Sequence, residues 1–150
     1  MWLSLVMAMF GAATPAPARV ETSAPADVIR YRQTVMRSLS SHLKALSQLA
    51  ARTVSFAKHA PVHSQAVVEL SKMMSELFPK GSGGGDSDAL DAVWKNPKGW
   101  NQALEKMQLE AEKLAAAAAS PDLIQLRAQV EATNDACAAC HKAFRAGSEK

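Results

Sequence analysis

Cys137-Ala138-Ala139-Cys140-His141 sets the chain's only two cysteines three residues apart, with a histidine directly after them. C-x-x-C-H is the attachment signature of a c-type haem. Each thiol adds to a haem vinyl group and leaves a thioether bond, and the adjacent imidazole is placed to bind the iron from one side. On a helix, residues three and four apart share a face, so Cys137, Cys140 and His141 present together.

Two other chemistries use a C-x-x-C pair. A thioredoxin-like redox site needs a βαβ setting with the motif opening a helix. Here the pair falls in the last turns of a long helical pattern with no strand pattern nearby. A structural zinc site needs four Cys or His ligands. His59 and His63 have the spacing to complete a Cys₂His₂ set, but Pro61 disfavours a helix through them and the order of the pairs is reversed. Haem attachment is the favoured reading, with zinc and a redox pair as weaker ones. His59 and His63 then read as two solvent-facing residues near a helix break.

The elements that must position this motif are helical. A stretch from about Ala26 to Ala57 repeats Ile29, Arg32, Met36, Leu39, Leu43, Leu46 and Ala50 on one stripe. Asp27 lies in its opening turn, where a carboxylate favours the helix dipole. A second stretch, about Ser64 to Phe78, repeats Val67, Leu70, Met74 and Leu77. Pro79 and Gly81-Ser82-Gly83-Gly84-Gly85 then predict a flexible connection, with a short helical turn at Asp88–Trp94. A third helix runs from about Pro97 to Ala119 and carries Trp100, Leu104, Met107 and Leu114. Its run Ala115–Ala119 is either simple helix filling or room left beside a bulky cofactor. Lys106, Glu110, Glu112 and Lys113 read as a solvated face.

Ser120-Pro121 predicts the cap and first turn of a fourth helix, closed by Gly147. Leu123, Leu126, Val130, Thr133, Cys137, Cys140, His141 and Phe144 keep to one stripe, which puts the motif on the inward face. Four amphipathic helices without a strand imply an all-α antiparallel four-helix bundle with the haem in its core.

A chain of 150 residues implies one domain. The net charge of +3 comes without a dense Lys/Arg stripe, which argues against a nucleic-acid partner. Met1–Ala13 is apolar but too short to span a bilayer as a helix. With Ala16-x-Ala18 it fits a signal peptide over residues 1–18, although no Lys or Arg precedes the apolar run. The expectation is an exported, periplasmic domain over residues 19–150 that is not a membrane protein in its mature form.

The residues Cys137-Ala-Ala-Cys-His141-Lys-Ala-Phe144-Arg145 resemble the C-x-x-C-H-x-x-F-R ending of the class II c-type cytochromes, the cytochrome c′ family. Tyr31-Arg32-Gln33-Thr34-Val35-Met36 is similar to the R-Q-x-x-M pattern of the family's first helix. Leu77-Phe78-Pro79, Gly81-Ser82 and Val93-Trp94 resemble its middle connection. Two departures are Trp100, where an aromatic, often Phe, is usual, and the abundance of glycine in the connection.

The resemblance implies a covalent haem with His141 as proximal iron ligand and Met36 on the opposite face. From spacing alone, Met36 reads more readily as an ordinary core methionine. If its sulfur ligates, the iron is six-coordinate and suits one-electron transfer to redox partner proteins. If it only covers the face, the iron is five-coordinate and open to nitric oxide or carbon monoxide. The carrier is the favoured outcome. The resemblance also places Arg32 and Gln33 near a haem propionate, where a guanidinium makes a charge-assisted pair, and otherwise they are solvated. Arg145, four residues after His141, either tunes the proximal ligand or caps its helix. Phe144 packs against the macrocycle or the core. Family members are often homodimers through their first two helices. No catalytic acid, base or nucleophile is recognisable, so the expectation is a carrier and not an enzyme.

Overall fold

The computed structural model describes residues 23–147. The expected signal peptide lies outside them. Four long helices and one short one follow in order: α1 (Pro25–Ala50), α2 (Ala60–Lys72), α3 (Ala92–Lys95), α4 (Pro97–Ala118) and α5 (Leu123–Phe144). The main packing partners are α1 with α2 and α5, and α4 with α2 and α5, which closes an antiparallel four-helix bundle. The only β-type pairing among the described residues is an isolated bridge between Ala89 and Arg145.

Several boundaries differ from the sequence expectation, each for a local reason. Helix α1 ends at Ala50, not Ala57, because Arg52 turns left-handed with φ 57°. The amide of Thr53 then donates to the Gln48 carbonyl and that of Arg52 to Leu49, both at 3.1 Å, which is a Schellman ending. Pro61 does not interrupt a helix but sits in the first turn of α2, where its missing N–H costs nothing. The stretch to Phe78 is two elements, α2 and a 3₁₀ turn at Met74–Leu77. The cap of α5 is Asp122 and not Ser120: its Oδ1 accepts from the amides of Ile124 at 2.9 Å and Gln125 at 3.2 Å. At α4, Asn96 caps through the Gly99 amide at 3.1 Å, ahead of Pro97.

The core runs the length of the bundle. Leu46 of α1, Val67 of α2, Leu114 of α4 and Leu126 of α5 are essentially inaccessible. Burying each such side chain contributes roughly 1.5–3 kcal/mol. Helix α1 carries two buried stripes where the sequence suggested one. Val35, Leu46 and Leu49 pack in the core without touching the cavity described below, while Ile29, Leu39 and Leu43 line it. Ala117 and Ala118 are buried, and no residue of Ala115–Ala119 lines that cavity, so the alanine run is helix filling.

Glu110 corrects the expectation of a solvated face, being only 3% exposed. Its carboxylate accepts from Lys106 Nζ at 2.5 Å, Lys113 Nζ at 3.1 Å and Gln129 Nε2 at 2.7 Å, which joins α4 to α5. These donors hold its pKa down at about 2. His63 is likewise half-buried and paired with His42, not simply solvent-facing.

Candidate haem site

One large cavity, about 950 Å³, lies between α1, α4 and α5 and is closed at one end by the middle connection. The α5 wall carries Cys137, Cys140 and His141, and the α1 wall carries Ile29, Arg32, Gln33, Met36, Leu39 and Leu43. The size is within the range of cofactor sites. Helical spacing produces the juxtaposition. On α5, the stripe Leu126, Val130 and Thr133 is buried, and the same face carries the cysteines to the cavity two turns further on.

The thiols suit attachment. Cys137 and Cys140 are free, and both are half-buried against the core. Burial raises both pKa values, and the neighbouring Cys137 helps push Cys140 to about 11, so both thiols keep their protons near neutral pH. Burial, then the charge of Arg145, lowers the pKa of His141. The imidazole is therefore neutral at neutral pH, the form that ligates iron.

Met36 is half-buried, packs against the core and lines the cavity on the α1 wall. The sequence puts it on the inward stripe of its helix, and the structure puts it on the cavity wall.

Aromatic rings seal one end. Phe78 meets Trp100 edge-on with centroids 4.7 Å apart, and Trp100 meets Phe144 at 5.2 Å. All three line the cavity, so the end of α5, the start of α4 and the connection share one apolar wall. Trp100, where the family often has Phe, also buries its larger ring here.

Arg32, Gln33 and Arg145 line the cavity too, and each also reaches the connection. Arg32 is 5% exposed. Its Nη1 donates to the Leu77 carbonyl at 3.1 Å and Ser82 Oγ at 3.0 Å, and its Nη2 to the Ser82 carbonyl at 2.9 Å and Ser87 Oγ at 2.7 Å. The guanidinium also stacks over Phe78, 4.5 Å from the ring centroid. Gln33 donates to the Asp86 carbonyl at 2.9 Å, and Arg145 pairs with Asp88 at 3.3 Å. Two backbone bonds, Leu90 to Phe144 and Ala146 to Asp88, tie the same segment to the end of α5. The sequence reading missed this latch. Its visible signals were Ser82 and Ser87, short hydroxyl residues set among glycines.

The glycine-rich connection packs where it must. A Cβ on Gly83 would lie 2.9 Å from the Trp94 ring, whose indole N–H donates to the Phe78 carbonyl at 2.9 Å. Gly83 is therefore required by close approach.

Comparison with known proteins follows the same outline. A family model described as cytochrome C′ matches residues 27–145. A cytochrome c′ from Rhodospirillum rubrum is 29% identical over 123 residues, covering 81% of this chain and 84% of the relative. A cytochrome c-554 from Cereibacter sphaeroides is 34% identical, covering 79% and 80%. The crystal structure of cytochrome c′ from Rubrivivax gelatinosus superposes with a TM-score of 0.74 at 32% identity, covering 81% of this chain and 96% of that one. A nitric oxide complex of a cytochrome c prime variant from Alcaligenes xylosoxidans superposes with a TM-score of 0.76 at 28% identity, covering 83% and 98%. The likeness runs through sequence, bundle and site alike, and the chain belongs to the cytochrome c′ family of class II c-type cytochromes, with a covalently attached c-type haem.

Proposed function

We propose that this cytochrome is a one-electron carrier in which His141 and Met36 ligate the haem iron from opposite faces. The observation that supports the reading is Met36 itself, a thioether on the α1 wall of the cavity whose α5 wall carries His141. When bound, the haem supplies a one-electron iron couple, and His/Met ligation favours a raised potential.

The chain's own residues do the rest. Cys137 and Cys140 fix the cofactor to α5 through two thioethers. His141, neutral at neutral pH, offers an imidazole nitrogen without first losing a proton. Phe78, Trp100 and Phe144 exclude water from one end. Arg32 and Gln33 hold the connection down over the site, and the fixed charge of Arg32 favours a haem carboxylate nearby. Redox partner proteins are the expected exchange partners, in the periplasm, and the protein is not an enzyme.

A second reading has a specific basis: structural neighbours of this chain are described as nitric oxide and carbon monoxide complexes of cytochrome c prime variants. In that case Met36 covers an open iron face and a small gas is the ligand. The visible spectrum of the ferrous protein with and without carbon monoxide separates the two. Electron transfer through a Met36-ligated iron requires a spectrum unmoved by the gas, and Met36→Ala should then become carbon monoxide-reactive. An immediate shift in the native protein sinks the carrier reading in favour of gas binding.

A further inference from the structure

No group of three or more His, Cys, Asp or Glu among the described residues is placed to hold a metal ion. A pair of imidazoles is nevertheless built into the α1–α2 interface, away from the haem cavity. His42 of α1 and His63 of α2 are both half-buried, and their Nδ1 atoms lie 2.9 Å apart. The ring centroids are 5.2 Å apart, with planes inclined by 53°.

At that separation one Nδ1 carries a proton and donates it to the lone pair of the other. The pair therefore holds two nitrogen donors around one proton. Two imidazole nitrogens at about 2.05 Å from a common ion, at a right angle, lie about 2.9 Å apart, whereas a tetrahedral angle holds them about 3.3 Å apart. The hydrogen bond itself sets the observed 2.9 Å, and the difference from either geometry is within what a tilt of the two rings takes up. Nitrogen donors suit Cu²⁺, which heads the affinity order of the first-row divalent ions.

We propose that His42 and His63 form a binding site for a divalent transition-metal ion, Cu²⁺ foremost, that staples α1 to α2. The bridging hydrogen bond is exchanged for two metal–nitrogen bonds. The donor ring moves its proton from Nδ1 to Nε2, so a neutral pair gives up no net proton, and each ring tilts to aim its lone pair at the ion. Solvent completes the coordination shell. His59, one helical turn before His63, stacks on Phe56 with centroids 5.3 Å apart and stays outside the pair.

The test uses the haem-loaded protein and Cu²⁺ alone in a non-coordinating buffer. Calorimetry should show one equivalent bound, and the paramagnetic resonance spectrum of the copper should show coupling to two nitrogens. His42→Gln and His63→Gln should each weaken binding by about tenfold or more, while His59→Gln stays near the native affinity. The haem spectrum and circular dichroism of each variant establish that it is folded, and the nitrogen coupling in the native protein needs no variant. Native affinity in His42→Gln, a copper signal with fewer than two nitrogens, or an equal loss in His59→Gln would overturn the assignment.

Discussion

Arg32 and Glu110 are both charged and both buried, at 5% and 3% exposure, Arg32 held by the middle connection and Glu110 by Lys106 and Lys113 of its own helix with Gln129 of α5. A buried charge persists when its hydrogen bonds are filled, by carbonyls and hydroxyls for Arg32 and by ammonium and amide donors for Glu110. For Glu110 the consequence is a pH dependence with a definite sign. Its folded pKa is held at about 2, below the ordinary 4.5, by Lys106, Gln129 and Lys113. A depressed carboxylate pKa contributes stability that is fully present above the unfolded value and is lost as pH falls toward the folded one. Glu110→Gln should therefore unfold at lower temperature than the native protein at pH 7. The gap between the two melting temperatures should close between about pH 4.5 and pH 2. A gap that stays constant across that window would show that the carboxylate charge is not what holds α4 to α5. The apolar spacing of α4 made Glu110 look like one more solvent-facing charge, since its enclosing partner Gln129 comes from α5.

The elements themselves were legible from the hydrophobic period, and Pro97 marked the first turn of α4. Pro61 also lies in a first turn, of α2, where the sequence suggested a helix break. The end of α1 was not legible, because its Schellman turn uses Arg52 at φ 57°, a conformation that normally calls for glycine. A side chain in that region is strained by roughly 1–2 kcal/mol. Arg52→Gly relieves the strain and gives back part of the gain in chain entropy, so it should stabilise the protein by roughly 0.5–1 kcal/mol. Urea unfolding of the haem-loaded variant checks this, and a lower midpoint would mean that Arg52 holds the turn through its side chain. The middle connection is the other element that sequence described only in part. Glycine predicts flexibility there, yet Arg32, Gln33 and Arg145 hold the segment against α1 and α5, and Gly83 packs on Trp94.

The whole molecule is a bundle opened along one side for a cofactor. A space of about 950 Å³ between α1, α4 and α5 is far larger than any packing defect a protein of this size sustains, so the haem is part of the core. Replacing both Cys137 and Cys140 with Ala and stripping the haem should lower the melting temperature by about 10 °C or more, through loss of a ligand that binds only the folded state. Equal melting temperatures for the stripped and native proteins would mean that the helices stand without it. What the sequence determined by itself is the covalent haem, the two cysteines and the adjacent histidine offered to it at Cys137, Cys140 and His141, and the helical class. All of these are written in residue types a few positions apart, where helix geometry alone fixes the arrangement. Tertiary structure decided which distant residues meet: Met36 across the cavity from α5, Arg32 with Ser82 and Ser87, Glu110 with Gln129, and His42 with His63. Those pairings depend on how helices are rotated and packed against one another, which no spacing within a single helix encodes.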